Sequence, residues 1–200
     1  PDFGSAMLLI GMWLVVVLFA GIRKIHMFSL GVLGVIMSIV GWGFLLADYQ
    51  RARLMTFVDP TADPLGQGYN VTQAIIAVGA GGWFGSGLGF GSQSQLKFLP
   101  ESQTDFIFAV IAEELGFIGI CLLLFAFALV FLRIVSLARK TRDSFAIYLL
   151  ICMGGVMFLQ FMVNIGMNIG LLPVTGLGLP LVSYGGSSLI LFLIMMGVVQ

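Results

Sequence analysis

Charge is what this sequence has least of. Only 9% of its 200 residues are Asp, Glu, Lys or Arg, and nine acids balance nine bases. Soluble domains carry about 25% charged residues, so an ordinary water-facing surface is excluded. Zero net charge offers no basic face, and no nucleic-acid partner is expected. Cysteine occurs twice, at Cys121 and Cys152, each inside an apolar run. Both read as small buried hydrophobes, not as a disulfide or a metal pair. The single histidine, His26, stands beside Arg23 and Lys24, which argues against a zinc site. No signal peptide is visible in a chain that opens on Pro1 and stops at Gln200 inside an apolar run. A fragment of a larger membrane protein is expected.

What is abundant is apolar. Hydrophobic residues make up 60% of the chain, and mean hydropathy is +1.11. A spanning helix needs about 20 apolar residues. Residues 5–22, 27–47, 115–132 and 145–168 meet that length, and a fifth apolar segment starts near 186. The expected fold is all-α: a polytopic membrane helix bundle with about five transmembrane helices, forming one domain over 1–200. Gly166 and Gly170 suit close packing between such helices.

Positive charge sets the orientation. Arg23 and Lys24 separate the first two segments; Arg133, Arg139, Lys140 and Arg142 separate the third and fourth. The positive-inside rule makes both loops cytoplasmic. The opposite side keeps only Arg51, Arg53 and Lys97 of the cations, and every acid except Asp143. It also carries a large extracytoplasmic loop, about 48–104, too long for a mere connector. Within that loop lie a Pro/Asp/Gly turn at 59–66, an amphipathic stretch Val71–Ala80 that Gly81-Gly82 would end, and alternating glycines at 85, 87, 89 and 91. No Gly-Lys-Ser/Thr follows, so this is no phosphate-binding P-loop; the glycines permit tight turns near the membrane surface.

Carboxylates crowd the end of that loop. Glu101, Asp105, Glu113 and Glu114 fall within fourteen residues, at the mouth of an apolar segment. Acids at a bilayer edge are costly without a function. Asp105 can serve as a general base, partial burial raising its basicity, or ligate a divalent cation. It can equally be a first-turn or N-cap acid, although Thr104 caps as well. If the helix begins at Asp105, Glu113 lies about 12 Å deeper and about 80° round, while Glu114 faces elsewhere. Arg51 and Arg53 can clamp a phosphate or anchor to lipid headgroups; Lys97 adds a third outer cation. Gln160, Asn164 and Asn168 form a stripe every four residues, facing protein or a wet cavity. The last outer loop, 170–188, mixes Pro and Gly with Thr175, Ser183, Tyr184, Ser187 and Ser188, as broken helix lining a cavity does.

Five stretches together resemble the SEDS family, the shape, elongation, division and sporulation proteins. They are Pro1-Asp2-Phe3-Gly4-Ser5, Tyr49-Gln50-Arg51-Ala52-Arg53, Asp63-Pro64-Leu65-Gly66-Gln67-Gly68-Tyr69, Phe98 through Glu114, and Leu172-Pro173-Val174-Thr175-Gly176 through Ser188. Gly91-Ser92-Gln93-Ser94-Gln95-Leu96 looks more like the RodA branch than the FtsW branch. The resemblance implies a ten-helix protein of the bacterial cytoplasmic (inner) membrane, of which this chain is the C-terminal half. It implies a peptidoglycan glycosyltransferase polymerising lipid II during cell elongation, with its active site on the extracytoplasmic side. Asp105 stands at the family's proposed catalytic position. Ser102-Gln103 replaces a basic residue and histidine common there, and Phe3 replaces a leucine.

The substrate-binding set expected on that basis is Arg51, Arg53, Lys97, Glu101, Thr104, Glu113, Glu114, Asn164, Asn168, Thr175, Ser183, Tyr184, Ser187 and Ser188. Expected ligands are lipid II, undecaprenyl-linked glycan and a divalent cation, Mg or Mn, at Asp105. The family also implies a class B penicillin-binding protein as partner. A lipid II flippase fits a polar stripe in a wet cavity too, although no inverted repeat is apparent. A non-catalytic scaffold is the third reading.

Overall fold

A computed structural model describes residues 3–45, 47–59, 66–96, 98–99 and 101–198. Asp2, Lys97 and the turn residues 60–65 lie outside the described residues. Every regular element among those described is helical. In order they are α1 (Phe3–Phe19), α2 (Lys24–Val40, running on into a π-helical turn Gly41–Leu45), α3 (Asp48–Val58), α4 (Gln67–Ala80), α5 (Ser92–Gln95), α6 (Ile107–Lys140), α7 (Ser144–Asn168) and α8 (Gly186–Val198).

Three of these are long and apolar enough to cross a membrane: Lys24–Phe44, Ile107–Lys140 and Ser144–Asn168. α1 and α8 are shorter apolar helices. All five apolar segments expected from the sequence are therefore helices. Charge punctuates them as expected. Arg139 and Lys140 occupy the last turn of α6, where cations offset the helix dipole. Asp143 then caps α7, its carboxylate accepting from the Phe145 N–H at 3.2 Å.

α7 is the axis of the fold, packing against α1, α6 and α4. Two adjacent glycines make this possible. A Cβ on Gly154 would stand 3.0 Å from Ile134 of α6, and one on Gly155 would stand 3.1 Å from Val15 of α1. Small residues admit close helix approach where water exclusion gives no driving force. Gly166 and Gly170 act differently from the helix-pair reading: Gly166 makes room for Leu172 of the following loop, and Gly170 lies against Ile75 of α4. One buried cluster, Phe127, Met157, Phe161, Leu179 and Phe192, joins α6, α7, the last loop and α8. A second, Ala74, Ala77, Leu99, Phe106 and Ala109, packs α4 under the turn that carries Asp105.

α6 is broken. Gly116 has φ 65° and ψ −163° inside it, so the carbonyls of Glu113 and Glu114 lose their helical donors. The glycine-rich strap 81–91 supplies the missing partners. Ser86 and Gly87 donate their N–H groups to Glu113 and Glu114 at 2.9 and 3.0 Å, and the N–H groups of Phe117 and Ile118 donate to Gly82 and Trp83 at 2.9 and 3.2 Å. A Cβ on Gly116 would collide with the Gly85 backbone, so glycine is required there for both its φ and its bulk.

Candidate active site

The turn Glu101–Phe106 presents Asp105. α6 begins only at Ile107, with Phe106 as its N-cap residue and no side-chain cap. Asp105 is thus not the helix-capping acid; it belongs to the turn before the helix. The Glu101 carbonyl organises that turn, accepting from the N–H groups of Thr104, Asp105 and Phe106 at 3.1, 3.1 and 3.3 Å. Glu101 takes a left-handed φ of 53°, unusual for a residue with a side chain, and its carboxylate accepts from the Thr104 hydroxyl at 2.8 Å.

The polar stripe of α7 fixes this turn in space. Asn164 and Asn168 are fully buried. Their side-chain amides both donate to the Asp105 carbonyl, at 2.9 and 3.0 Å. Asn164 also donates to the Leu177 carbonyl at 2.8 Å, and the Asn168 oxygen accepts from the Ala109 N–H at 3.2 Å. Two successive turns of α7 thereby hold the Asp105 turn, the first turn of α6 and the last loop, 170–185, together. Buried amides of this kind are costly unless satisfied. Gln160, one turn further along, is half-buried.

The last loop is pinned from the other side. Ser183 donates its hydroxyl to the Thr104 carbonyl at 2.6 Å and accepts from the Leu179 N–H at 2.5 Å. The Tyr184 N–H donates to Gln103 at 2.8 Å. A Cβ on Gly176 would stand 3.9 Å from the Asp105 carboxylate, so that carboxylate faces the loop across a narrow gap. Thr175 is half-buried against the Met167 sulfur; Tyr184, Ser187 and Ser188 are exposed, the Ser188 hydroxyl donating to Gly185 at 2.9 Å.

The Asp105 carboxyl is half-buried, and its pKa is raised above the ordinary 3.8. Burial is the main cause, because the charged form loses water. The nearby Glu101 charge pushes the same way, and the Arg53 guanidinium opposes both. Arg53 is therefore in electrostatic reach of Asp105. α3, a helix the sequence reading did not anticipate, supplies it. Arg51, on the same helix, donates to the Gly43 carbonyl at 3.2 Å, closing the end of α2. The Nε atoms of both arginines are buried without a hydrogen-bond partner.

Glu113 is buried at 1% exposure. Its carboxylate accepts from the Ser92 hydroxyl at 3.2 Å and the Gln93 N–H at 2.9 Å, holding α5 against α6. Glu114 is half-buried. In the sequence Ser92 and Gln93 stood out only within the 91–96 stretch, since nothing in their spacing points to Glu113. A cavity of about 280 Å³ lies elsewhere, between α1, α7 and α8. Met12, Cys152, Met153 and Ile194 are among the side chains lining it, and it offers no polar surface for chemistry. Among the described residues no three His, Cys, Asp or Glu side chains cluster to hold a metal.

A half-buried acid on a hydrogen-bonded turn, with an arginine in range and a hydroxyl-bearing loop across from it, joins the 98–114 and 172–188 stretches in space. The pattern of the family described as "Cell cycle protein", FtsW/RodA/SpoVE, matches residues 1–200. The chain belongs to this family.

Its relatives agree. It is 44% identical to the peptidoglycan glycosyltransferase MrdB of Escherichia coli K12, over 100% of this chain and 54% of that protein. It is 43% identical to stage V sporulation protein E of Bacillus subtilis, over 99% of this chain and 53% of the relative. The chain thus spans about half the length of the curated relatives it matches. Among solved structures it superposes on a chain from work on "structural coordination of polymerization and crosslinking by a peptidoglycan synthase complex". That match has TM-score 0.81 and 36% identity, covering 100% of this chain and 55% of the other. A RodA rod shape determining protein of Thermus thermophilus matches with TM-score 0.59 and 29% identity, over 100% of this chain and 49% of its own. Family and helices together make this a multi-pass, all-α membrane protein.

Proposed function

We propose that the full-length protein is a peptidoglycan glycosyltransferase that polymerises lipid II into glycan strands during cell elongation and releases undecaprenyl pyrophosphate. The observation that carries this reading is the Asp105 carboxyl, half-buried on a turn held by Asn164, Asn168 and Ser183. The names of the curated relatives support the activity.

In this mechanism Asp105 accepts the proton of the 4-hydroxyl on the GlcNAc of an incoming lipid II. The hydroxyl oxygen forms a bond to the anomeric carbon of the MurNAc at the end of the growing chain. The bond from that carbon to the pyrophosphate breaks, and the electron pair leaves with the polyprenyl pyrophosphate. A single displacement inverts an α-linked donor into a β-1,4 linkage. A carboxylate suits the role because burial raises its basicity. Arg53, assisted by Arg51, offsets the charge that develops on the leaving pyrophosphate. Glu101, Thr104, Thr175, Ser183, Tyr184, Ser187 and Ser188 are the proposed substrate contacts, while the buried Glu113, Asn164 and Asn168, with Glu114, position the elements around Asp105. Asp105, with the Glu101 charge close enough to act on it, would be the residue that holds Mg or Mn, and such an ion would supply charge neutralisation there.

The reading places the protein in the bacterial inner membrane, with the site on the extracytoplasmic face, where most of the acids gather. A class B penicillin-binding protein is the proposed partner, supported by the likeness to a chain of a peptidoglycan synthase complex. Vesicles carrying the full-length protein test the reading against a flippase. Labelled lipid II that becomes polymer, without movement between leaflets, supports the glycosyltransferase; movement without polymer contradicts it.

A further inference from the structure

The strap 81–90 reads Gly-Gly-Trp-Phe-Gly-Ser-Gly-Leu-Gly-Phe and carries no charge. Its large side chains point away from the protein: Trp83 is 70% exposed, Phe84 81%, Leu88 73% and Phe90 76%. Four such groups in ten residues would be a poor water-facing loop.

Depth explains them. The exposed Arg133 marks the inner end of the apolar run of α6. Phe117 is sixteen residues from it, about 24 Å of helix. The hydrocarbon core is about 30 Å thick, so Phe117 lies about 6 Å inside its outer edge. Trp83 packs edge-on against Phe117, ring centroids 5.2 Å apart, and its carbonyl accepts from the Ile118 N–H. The strap therefore sits at that same depth.

Irregular backbone survives at hydrocarbon depth only where protein satisfies its polar groups. This strap meets that condition at the residues that face α6. The broken α6 takes Gly82 O, Trp83 O, Ser86 N and Gly87 N, while Gly85 N and Phe90 N bond to Gly81 and Gly87 within the strap. Its exposed side chains also continue the exposed face of α6, formed by Phe117, Ile118, Leu122 and Phe125.

We infer that residues 81–90 form a re-entrant wedge whose partner is the lipid hydrocarbon of the outer leaflet. Glu113 and the break at Gly116 hold it there. Trp83, Phe84, Leu88 and Phe90 make an apolar shelf beneath the Asp105 turn. The inference rests on the membrane-spanning helices and not on the glycosyltransferase reading.

The test uses the full-length protein in phospholipid vesicles, with Cys121→Ser and Cys152→Ser as background. Nitroxide labels at Phe84→Cys and, separately, at Leu88→Cys report collisions with oxygen, enriched in lipid, and with a water-soluble nickel chelate. The wedge predicts oxygen access at least several-fold above nickel access, matching a label at Leu122→Cys. Nickel access matching a label at Tyr184→Cys would overturn it. So would shielding from both reagents, which means protein covers the strap. Either label alone decides if the other variant fails to fold.

Discussion

Asn168 of α7 donates its side-chain N–H to the main-chain carbonyl of Asp105 at 3.0 Å, sixty-three residues earlier in the chain. Its other side-chain atom, the amide oxygen, accepts from Ala109 in the first turn of α6. One buried amide thus ties the reactive turn to the helix it opens and to the helix behind it. Replacing it by Leu keeps approximate volume and strands the Ala109 N–H. A buried group left unsatisfied costs about 1–3 kcal/mol. Asn168→Leu in the full-length protein should lower the thermal midpoint and cut polymerisation at least tenfold, measured as the rate at saturating lipid II. Unchanged rate and midpoint would contradict the role.

Arg53 lowers the pKa of Asp105 against the combined push of burial and Glu101. A base must be ionised, so activity falls as pH drops through its folded pKa. Removing Arg53 raises that pKa further. The acid limb of the pH–rate profile of Arg53→Gln should therefore shift to higher pH than that of the unaltered protein. An acid limb that stays in place or moves to lower pH would contradict this action of Arg53 on the carboxyl.

The same burial has a stability consequence. A carboxyl with a raised folded pKa binds its proton more tightly folded than unfolded. Stability from this group is thus present at low pH and declines as pH rises from the unfolded value, 3.8, through the folded one. Asp105→Asn removes the charge that burial opposes. This variant should unfold at the same or a higher temperature than the unaltered protein at neutral pH, by thermal melting in detergent.

Gly116 joins the break in α6 to the strap. Gly116→Ala would need φ 65° with a Cβ that meets the Gly85 backbone. Strain of this kind costs about 1–3 kcal/mol. The expected result is a melting midpoint several degrees lower, together with faster proteolysis in the strap. Gly34→Ala, in the exposed α2 with open space around it, should leave both unchanged.

Those predictions differ in how far the sequence alone supports them. The five apolar helices were legible, because length and hydropathy suffice for a membrane span and Arg23, Lys24 and Arg133 to Arg142 mark its ends. α4 was legible too, from its amphipathic pattern and the Gly81-Gly82 stop. α3 was not: its polar run around Arg51 and Arg53 carries no apolar face, and packing against α4 holds it. The stripe of Asn164 and Asn168 was visible as a stripe, but its partner is a carbonyl fixed only when α6 and α7 pack. The pairing of the strap with residues 113–118 was equally hidden, since backbone hydrogen bonds across a helix break leave no side-chain pattern. Asp105 stood out by chemistry, yet its place before the helix depends on Glu101 adopting a left-handed φ.

Polymerisation of purified lipid II by the full-length protein carrying Asp105→Asn tests the central claim most directly. The substitution keeps size and shape and removes only the capacity to take a proton. The account predicts glycan synthesis reduced by at least a hundredfold, with folding and lipid II binding retained. Polymer made at the normal rate and length by that variant would contradict it.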